Sequence, residues 1–197
     1  MNKPFSESCE QNKHVILDVI KNVFTKPGKL LEIGSGTGQH AVFFAPALPY
    51  LQWVPTDREE NLSGIQRWLD EIDAENIMSL QSLDVEQNDW PIESTDYVFS
   101  ANTVHIMSWK AVQALFSGLE NKMNKGGLLA LYGPFNYNGA YSSDSNARFD
   151  LWLKQRDPLS GIRDFDDLDQ LAQQAGLSFV HDYEMPANNR ILVWEKS

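Results

Sequence analysis

The sequence predicts an α/β fold, with a mostly parallel sheet carrying helices on both faces. Two observations carry this expectation. Short apolar runs alternate with segments whose apolar residues recur at helical spacing. The first run, residues 29–33, stops at a glycine-rich string, Gly34-Ser35-Gly36-Thr37-Gly38. In open parallel sheets a strand that ends in glycines before a helix offers its backbone to a ligand.

The elements follow in order. Ile16, Val19, Ile20 and Val23 share one face of an opening helix, with Ser6 or Ser8 as its cap and Pro27-Gly28 as its stop. Residues 29–33 form the first strand. Ala41, Phe44, Ala45 and Leu48 mark a helix whose length Pro46 limits. Residues 51–55 form a second strand, and Leu62, Ile65, Leu69 and Ile72 a second sheet-covering helix. Residues 77–83 and 96–100 read as the third and fourth strands. Val112, Leu115, Phe116, Leu119 and Met123 mark a strong helix, after which Gly126-Gly127 turns the chain into a fifth strand, 128–132. The segment 133–163 breaks this rhythm. It is rich in Asn, Ser, Gly and Tyr and predicts only a short helix over 147–155. Leu168, Leu171, Ala172 and Ala175 then share a helix face, with Gly176 at the C-terminal cap. Strands near 178–183 and 191–194 bring the total to seven. With no internal repeat and no evident linker, residues 1–197 read as one domain.

Composition narrows the function. A hydrophobic fraction of 42% supports a sizeable core. A net charge of -11 without a basic stripe argues against nucleic acid as substrate. No apolar run approaches a membrane span, and the opening residues lack the apolar core of a secretory leader. Cys9 is the single cysteine, which fits a reducing cytoplasm and excludes a thiolate metal cluster. The expected setting is therefore cytoplasmic, with no metal, no membrane and a small-molecule substrate. Composition leaves the oligomeric state open.

Four features stand at successive strand ends: the glycine string, Asp57, Asp84 with Val85, and Ala101 with Asn102. Asp57 lies about 20 residues past the glycines, a spacing that suits a carboxylate binding ribose hydroxyls; it can equally cap the following helix. Asp84 can accept from an adenine amino group beside the Val85 amide, or be an ordinary turn residue.

Taken together, these features resemble the class I S-adenosylmethionine (SAM)-dependent methyltransferases. Leu31-Glu32-Ile33-Gly34-Ser35-Gly36-Thr37-Gly38 matches their first motif, with its acid before the glycines. The resemblance implies a three-layer, Rossmann-like doubly wound sheet of seven strands with an antiparallel C-terminal hairpin, and SAM as cofactor. It assigns Gly34, Gly36 and Gly38 to the methionine side, Asp57 to ribose and Asp84 to adenine. Glu32, Ser35, Val85, Ala101 and Asn102 complete the expected cofactor-binding set. A narrower resemblance spans nearly the whole chain: F-S-E-S-C-E-Q-N-K, L-E-I-G-S-G-T-G-Q-H, S-A-N-T-V-H-I-M-S-W, Y-G-P-F-N and M-P-A-N-N-R look like the domain of unknown function 938 family, which includes methyltransferase-like protein 26. That family implies no particular substrate.

Methyl transfer needs alignment of a nucleophile and exclusion of water, with a base optional. His105, after the fourth strand, is the candidate base, or else a structural histidine; Tyr132 is the second catalytic candidate. Asn102 can hold the cofactor's amino group or orient a substrate amine. Asn136, Tyr141, Arg163 and Arg190 are candidate substrate residues, the segment 133–163 forming a substrate lid or a surface insertion. The opening segment, 1–28, with Cys9 near its start, is expected over the cofactor cleft. Trp109 and Trp152 are expected in the core. Two other functions compete: a SAM-binding module without catalysis, and a nicotinamide-dependent oxidoreductase. The latter prefers G-x-G-x-x-G, whereas the third glycine comes one residue earlier in this chain.

Overall fold

A computed structural model of the chain describes residues 3–197; Met1 and Asn2, part of the expected spans 1–197 and 1–28, lie outside the described residues. The order is α1 (Glu7–Val23), β1 (Gly28–Ile33), α2 (Gln39–Ala47), β2 (Leu51–Asp57), α3 (Glu59–Leu69), β3 (Gln81–Ser82), β4 (Thr95–Ala101), α4 (Trp109–Lys122), β5 (Met123–Gly133), β6 (Phe135–Asn136), α5 (Asp144–Arg156), β7 (Arg163–Asp164), α6 (Phe165–Gln174), β8 (Leu177–Met185) and β9 (Asn189–Lys196). Ser6 is the cap of α1, its hydroxyl accepting from the Cys9 amide at 3.4 Å.

The seven-stranded sheet runs β3-β2-β1-β4-β5-β9-β8. Strands β1 to β5 are parallel, and β9 is antiparallel to both β5 and β8. The chain builds outward from β1 in one direction and then crosses to β4 and builds in the other. That reversal opens a crevice at the carboxyl ends of β1 and β4. A separate parallel pair, β6 with β7, ties together the two ends of the segment 133–163.

Strand alternation sorts the core into two layers. Leu31, Val98, Leu129 and Leu131 pack with Phe116 and Leu119 of α4 and Leu168 of α6. Their neighbours Leu30, Phe99, Ala130 and Tyr132 face the other way, against Ile16 and Ile20 of α1 and Phe44 of α2. The sheet is therefore hydrophobic on both faces, as a parallel sheet between helix layers must be.

The expected elements exist, with shifted bounds. The largest difference is the third strand, expected over 77–83. Only Gln81–Ser82 pair with Thr56–Asp57, apart from a single bridge between Trp53 and Ile77. At a sheet edge one flank has no partner, so a short irregular strand suffices. The second sheet-covering helix ends at Leu69, and Ile72 lies in the turn beyond it. Within 133–163 the helix is longer than expected, because Ser143 caps it through the Asn146 amide at 3.1 Å.

Candidate active site

The glycine string turns sharply at the end of β1. The amides of Gly34 and Ser35 both donate to the Thr56 carbonyl, at 3.0 and 2.9 Å. Gly34, Gly36 and Gly38 all have positive φ, at 74°, 62° and 90°, which glycine adopts at little cost. Gly34 is also required by space: a β-carbon there would lie 2.6 Å from Cγ2 of Thr103. Gly36 differs. A β-carbon there would meet nothing nearer than the Gly34 carbonyl at 4.0 Å, so its bare backbone is open to close approach.

The Gly36 amide donates to Oδ2 of Asp57 at 2.7 Å. Oδ1 of the same carboxylate accepts from the Arg58 amide at 2.8 Å and from Nδ2 of Asn61 at 2.7 Å. Asp57 therefore braces the start of α3 and also lies beside the glycine turn. With three of roughly four acceptor positions used, it keeps capacity for one more donor. Asp84 lies one strand further along. One of its oxygens accepts from the Glu86 amide at 3.0 Å, and Val85 beside it is buried. Asn61 is a further polar group at this end of the crevice that sequence reading missed; its helical position four residues past Asp57 was the available signal.

Glu32 lies beneath the turn, fully buried. Its Oε2 accepts from the Ser35 hydroxyl at 2.7 Å and the Trp53 indole at 3.0 Å. Burial pushes its carboxyl up to about 7, helped by the nearby negative Asp57 and opposed by these two hydrogen bonds.

Helix α1 is fastened to the glycine turn by Gln39. The Gln39 side chain accepts from the Ser6 amide at 2.6 Å and from the Thr37 hydroxyl at 2.9 Å, and donates to Glu10 at 2.7 Å. Cys9, beside Ser6 and Thr37, has its thiol pushed up by burial. One turn on, Asn12 accepts from Nε2 of His40 at 2.8 Å. Burial holds His40 down at about 4 and raises the Tyr132 phenol. Tyr132 thus faces α1, on the opposite side of the sheet from α4 and α6.

The ends of β4 and β5 carry the remaining groups. Asn102 takes a left-handed backbone, φ 56°, and its amide donates to the Tyr132 carbonyl at 2.8 Å. His105 is 3% exposed and its ring packs edge-on against Phe149 of α5, centroids 5.4 Å apart. Burial, then the Arg163 charge, pushes His105 down to about 4. Among the described residues, two buried side-chain polar atoms have no hydrogen-bond partner: Nδ1 of His105 and Oδ1 of Asn136.

Three other expected substrate residues are held by internal partners. Tyr141 donates to Asp150 at 2.7 Å. Arg163 donates to the carbonyls of Val104 at 3.1 Å, Leu159 at 2.9 Å and Met107. It thereby clamps the segment 133–163 onto the loop after β4. Arg190 lies within β9 and donates to Asp182 at 2.7 Å. Trp109 packs on the core, whereas Trp152 is 47% exposed, contrary to expectation. It lies on the outer side of α5, stacked on Phe149 and covered by Arg156. One surface hollow, lined by Gly28, Lys29, Asp96 and Asn124, lies at the amino end of the strands. That is the wrong end for a ligand site of this sheet. Among the described residues no group of three or more His, Cys, Asp or Glu could hold a metal, and no helix is long and apolar enough to cross a membrane.

The architecture is Rossmann-like, with the mostly parallel sheet and antiparallel end strands found in methyltransferase structures. An O-methyltransferase family protein from Burkholderia thailandensis superposes with a TM-score of 0.84 at 12% identity, over 97% of this chain and 58% of that one. An O-methyltransferase family 2 protein from Planctomyces limnophilus, in complex with apigenin, gives 0.81 at 16% identity, over 96% and 60%. Human N-acetylserotonin methyltransferase, in complex with SAM, gives 0.78 at 15% identity, over 97% and 53%. The chain thus spans little more than half the length of these structures. It belongs to the family described as protein of unknown function (DUF938), whose model matches residues 3–196.

Proposed function

We propose that the protein is an enzyme that transfers a methyl group from SAM to a small-molecule acceptor. The observation that carries this reading is the link between the open Gly36 backbone and the Asp57 carboxylate at 2.7 Å, at the switch point of the sheet. The fold it shares with proteins described as methyltransferases supports it.

The residues present fit such a cofactor. The open turn at Gly34, Ser35, Gly36 and Gly38 admits close backbone contact, above the buried Glu32. Asp57 has acceptor capacity for a ribose hydroxyl, and Asp84 with the Val85 amide suits adenine. Ala101 and Asn102 close the crevice from β4, and α1 covers the turn through Gln39. When bound, SAM supplies an electrophilic methyl on sulfur. The protein's part is to align the acceptor and exclude water. The segment 133–163 covers the acceptor side. Arg163 and Tyr141 fix its shape, while among the described residues Nδ1 of His105 and Oδ1 of Asn136 remain unpaired. His105 is neutral near pH 7, as a proton acceptor must be, and Tyr132 braces α1 from below.

The reading is tested in two steps. Titration calorimetry with SAM should give saturable heat and a raised melting temperature; NAD binding in its place would overturn the cofactor. Formation of S-adenosylhomocysteine with a metabolite pool then separates an enzyme from a module that only binds SAM.

A further inference from the structure

Gly133 is a glycine that neither backbone nor packing requires. Its φ is not positive, so any residue could adopt its conformation. A β-carbon there would lie 3.5 Å from Nδ1 of His105 and 3.8 Å from Oδ1 of Asn102, which is ordinary contact. The bare Cα instead leaves a methyl-sized space between two hydrogen-bond acceptors at the carboxyl ends of β4 and β5. One of them, Nδ1 of His105, is buried and has no partner among the described residues. A buried polar atom left unpaired is costly unless a ligand satisfies it.

We infer that Gly133, Asn102 and His105 form the seat of the acceptor's nucleophilic atom, and that the acceptor is an uncharged aromatic compound bearing a hydroxyl. This inference rests on the methyltransferase reading and assigns its substrate class. The seat selects for a group with both a lone pair and a hydrogen. The Asn102 carbonyl oxygen only accepts, and neutral His105 presents a lone pair at Nδ1 when its proton is on Nε2. A carboxylate has no hydrogen to give them. An alkylammonium has no free lone pair and would meet the Arg163 charge that already acts on His105. The aromatic body follows from what adjoins the seat. Phe149 packs on His105 and Trp152 stacks on Phe149, centroids 5.6 Å apart. Ile106 and Leu159 are exposed at 59% and 64%, either side of the Ser160 hydroxyl bond to the Ile106 carbonyl. Ring contacts thus lead from His105 through Phe149 to the half-exposed Trp152.

The chemistry balances without another reactant. The hydroxyl oxygen's lone pair forms the bond to the methyl carbon, and the electron pair of the broken carbon–sulfur bond stays on sulfur. The hydroxyl proton, strongly acidic once oxygen is alkylated, passes to Nδ1 of His105 and on to water. The products are a methyl ether, S-adenosylhomocysteine and a proton.

The test compares 2-naphthol, 2-naphthoate and hexylamine as acceptors, read as S-adenosylhomocysteine released. The wild-type protein should use 2-naphthol at least tenfold faster than either of the others. Gly133→Ala fills the seat without strain and should lower that rate at least tenfold, with melting temperature and SAM affinity unchanged. Asn102→Gly, which suits the left-handed backbone, should also lower the rate measured at saturating SAM at least tenfold. SAM binding with no methylation of 2-naphthol, equal use of hexylamine or naphthoate, or wild-type rates in Gly133→Ala would each overturn the inference. Absence of SAM binding to the wild-type protein would instead overturn the reading beneath it.

Discussion

Trp53 donates its indole N–H to Glu32 across the β1–β2 pair, at 3.0 Å, with both residues buried. The Ser35 hydroxyl holds the same carboxylate oxygen, so the acid of the glycine motif is fastened to two strands and to the turn itself. Two hydrogen bonds do not offset the burial of a charge in a low-dielectric site. The consequence is a carboxyl that titrates at about 7 instead of 4.5.

That shift has a defined sign. A folded-state value above the unfolded one means the folded protein binds the proton more tightly, so Glu32 contributes stability that is complete below about pH 4.5 and lost as pH rises to about 7. Glu32→Gln keeps a carbonyl oxygen for Trp53 and Ser35 and carries no charge. Its stability relative to wild type should grow between pH 4.5 and 7 and level off above, by on the order of 1–3 kcal/mol. Denaturant unfolding across this range checks it; a difference that stays constant with pH would contradict the assignment.

Gly34 and Gly36 separate structure from binding within one turn. Gly34→Ala adds left-handed strain, roughly 1–2 kcal/mol, to a collision with Thr103. Its unfolding midpoint should drop sharply and recover in part when Thr103→Ala is added. Gly36→Ala meets open space, so it should lose only the strain, yet weaken SAM binding at least tenfold. Thermal melts and calorimetry on the three variants distinguish the roles. Equal stability losses in the two single variants would refute the distinction.

Arg163 was read from sequence as a substrate contact, and its geometry makes it a clamp. It serves the carbonyls of Val104, Met107 and Leu159, which only a planar fork of donors can do together. Arg163→Met should cost about 1–3 kcal/mol through unpaired carbonyls and expose residues 157–161 to protease. Arg163→Lys should recover part of this at most. A Met variant as stable and as protease-resistant as wild type would show that the clamp does not matter.

The contrast between Arg163 and Asp57 shows what is legible in a sequence of this kind. The position of Asp57 beside the glycine turn is legible because strand ends in a parallel sheet converge on one side, so a carboxylate at the end of an apolar run has a known address. The seven strands were legible for the same reason, except at the edge, where Ile77–Ser82 needs little pairing and shows little pattern. Arg163 sits in a segment without periodicity, and its partners are backbone carbonyls, which every residue type carries. Trp152 misled because an aromatic residue on a helix reads as core, whereas α5 packs Phe149 against His105 and leaves Trp152 half exposed. Asn12 was silent as well. Nothing in a helix sequence announces that one asparagine will hold a buried histidine from another element.

The contact between Asn12 and His40 predicts a loss of stability in acid. Asn12 accepts from His40 at 2.8 Å, joining α1 to α2 beside the glycine turn. Burial holds His40 at about 4, below its usual 6.5. A depressed value means the unfolded chain binds the proton more tightly, so this stability is present above about pH 6.5 and is lost as pH falls through about 4. His105, also about 4, acts in the same direction, while Glu32 opposes both between pH 4.5 and 7. His40→Gln removes one titration and keeps a donor for Asn12, so its acid-side loss should be visibly shallower than that of wild type. Asn12→Leu should instead lower stability at every pH by about 1–3 kcal/mol, because it leaves Nε2 of His40 without its acceptor. Unfolding curves from pH 4 to 8 on the two variants separate the outcomes. Parallel pH profiles for His40→Gln and wild type would mean that His40 does not govern the acid limb.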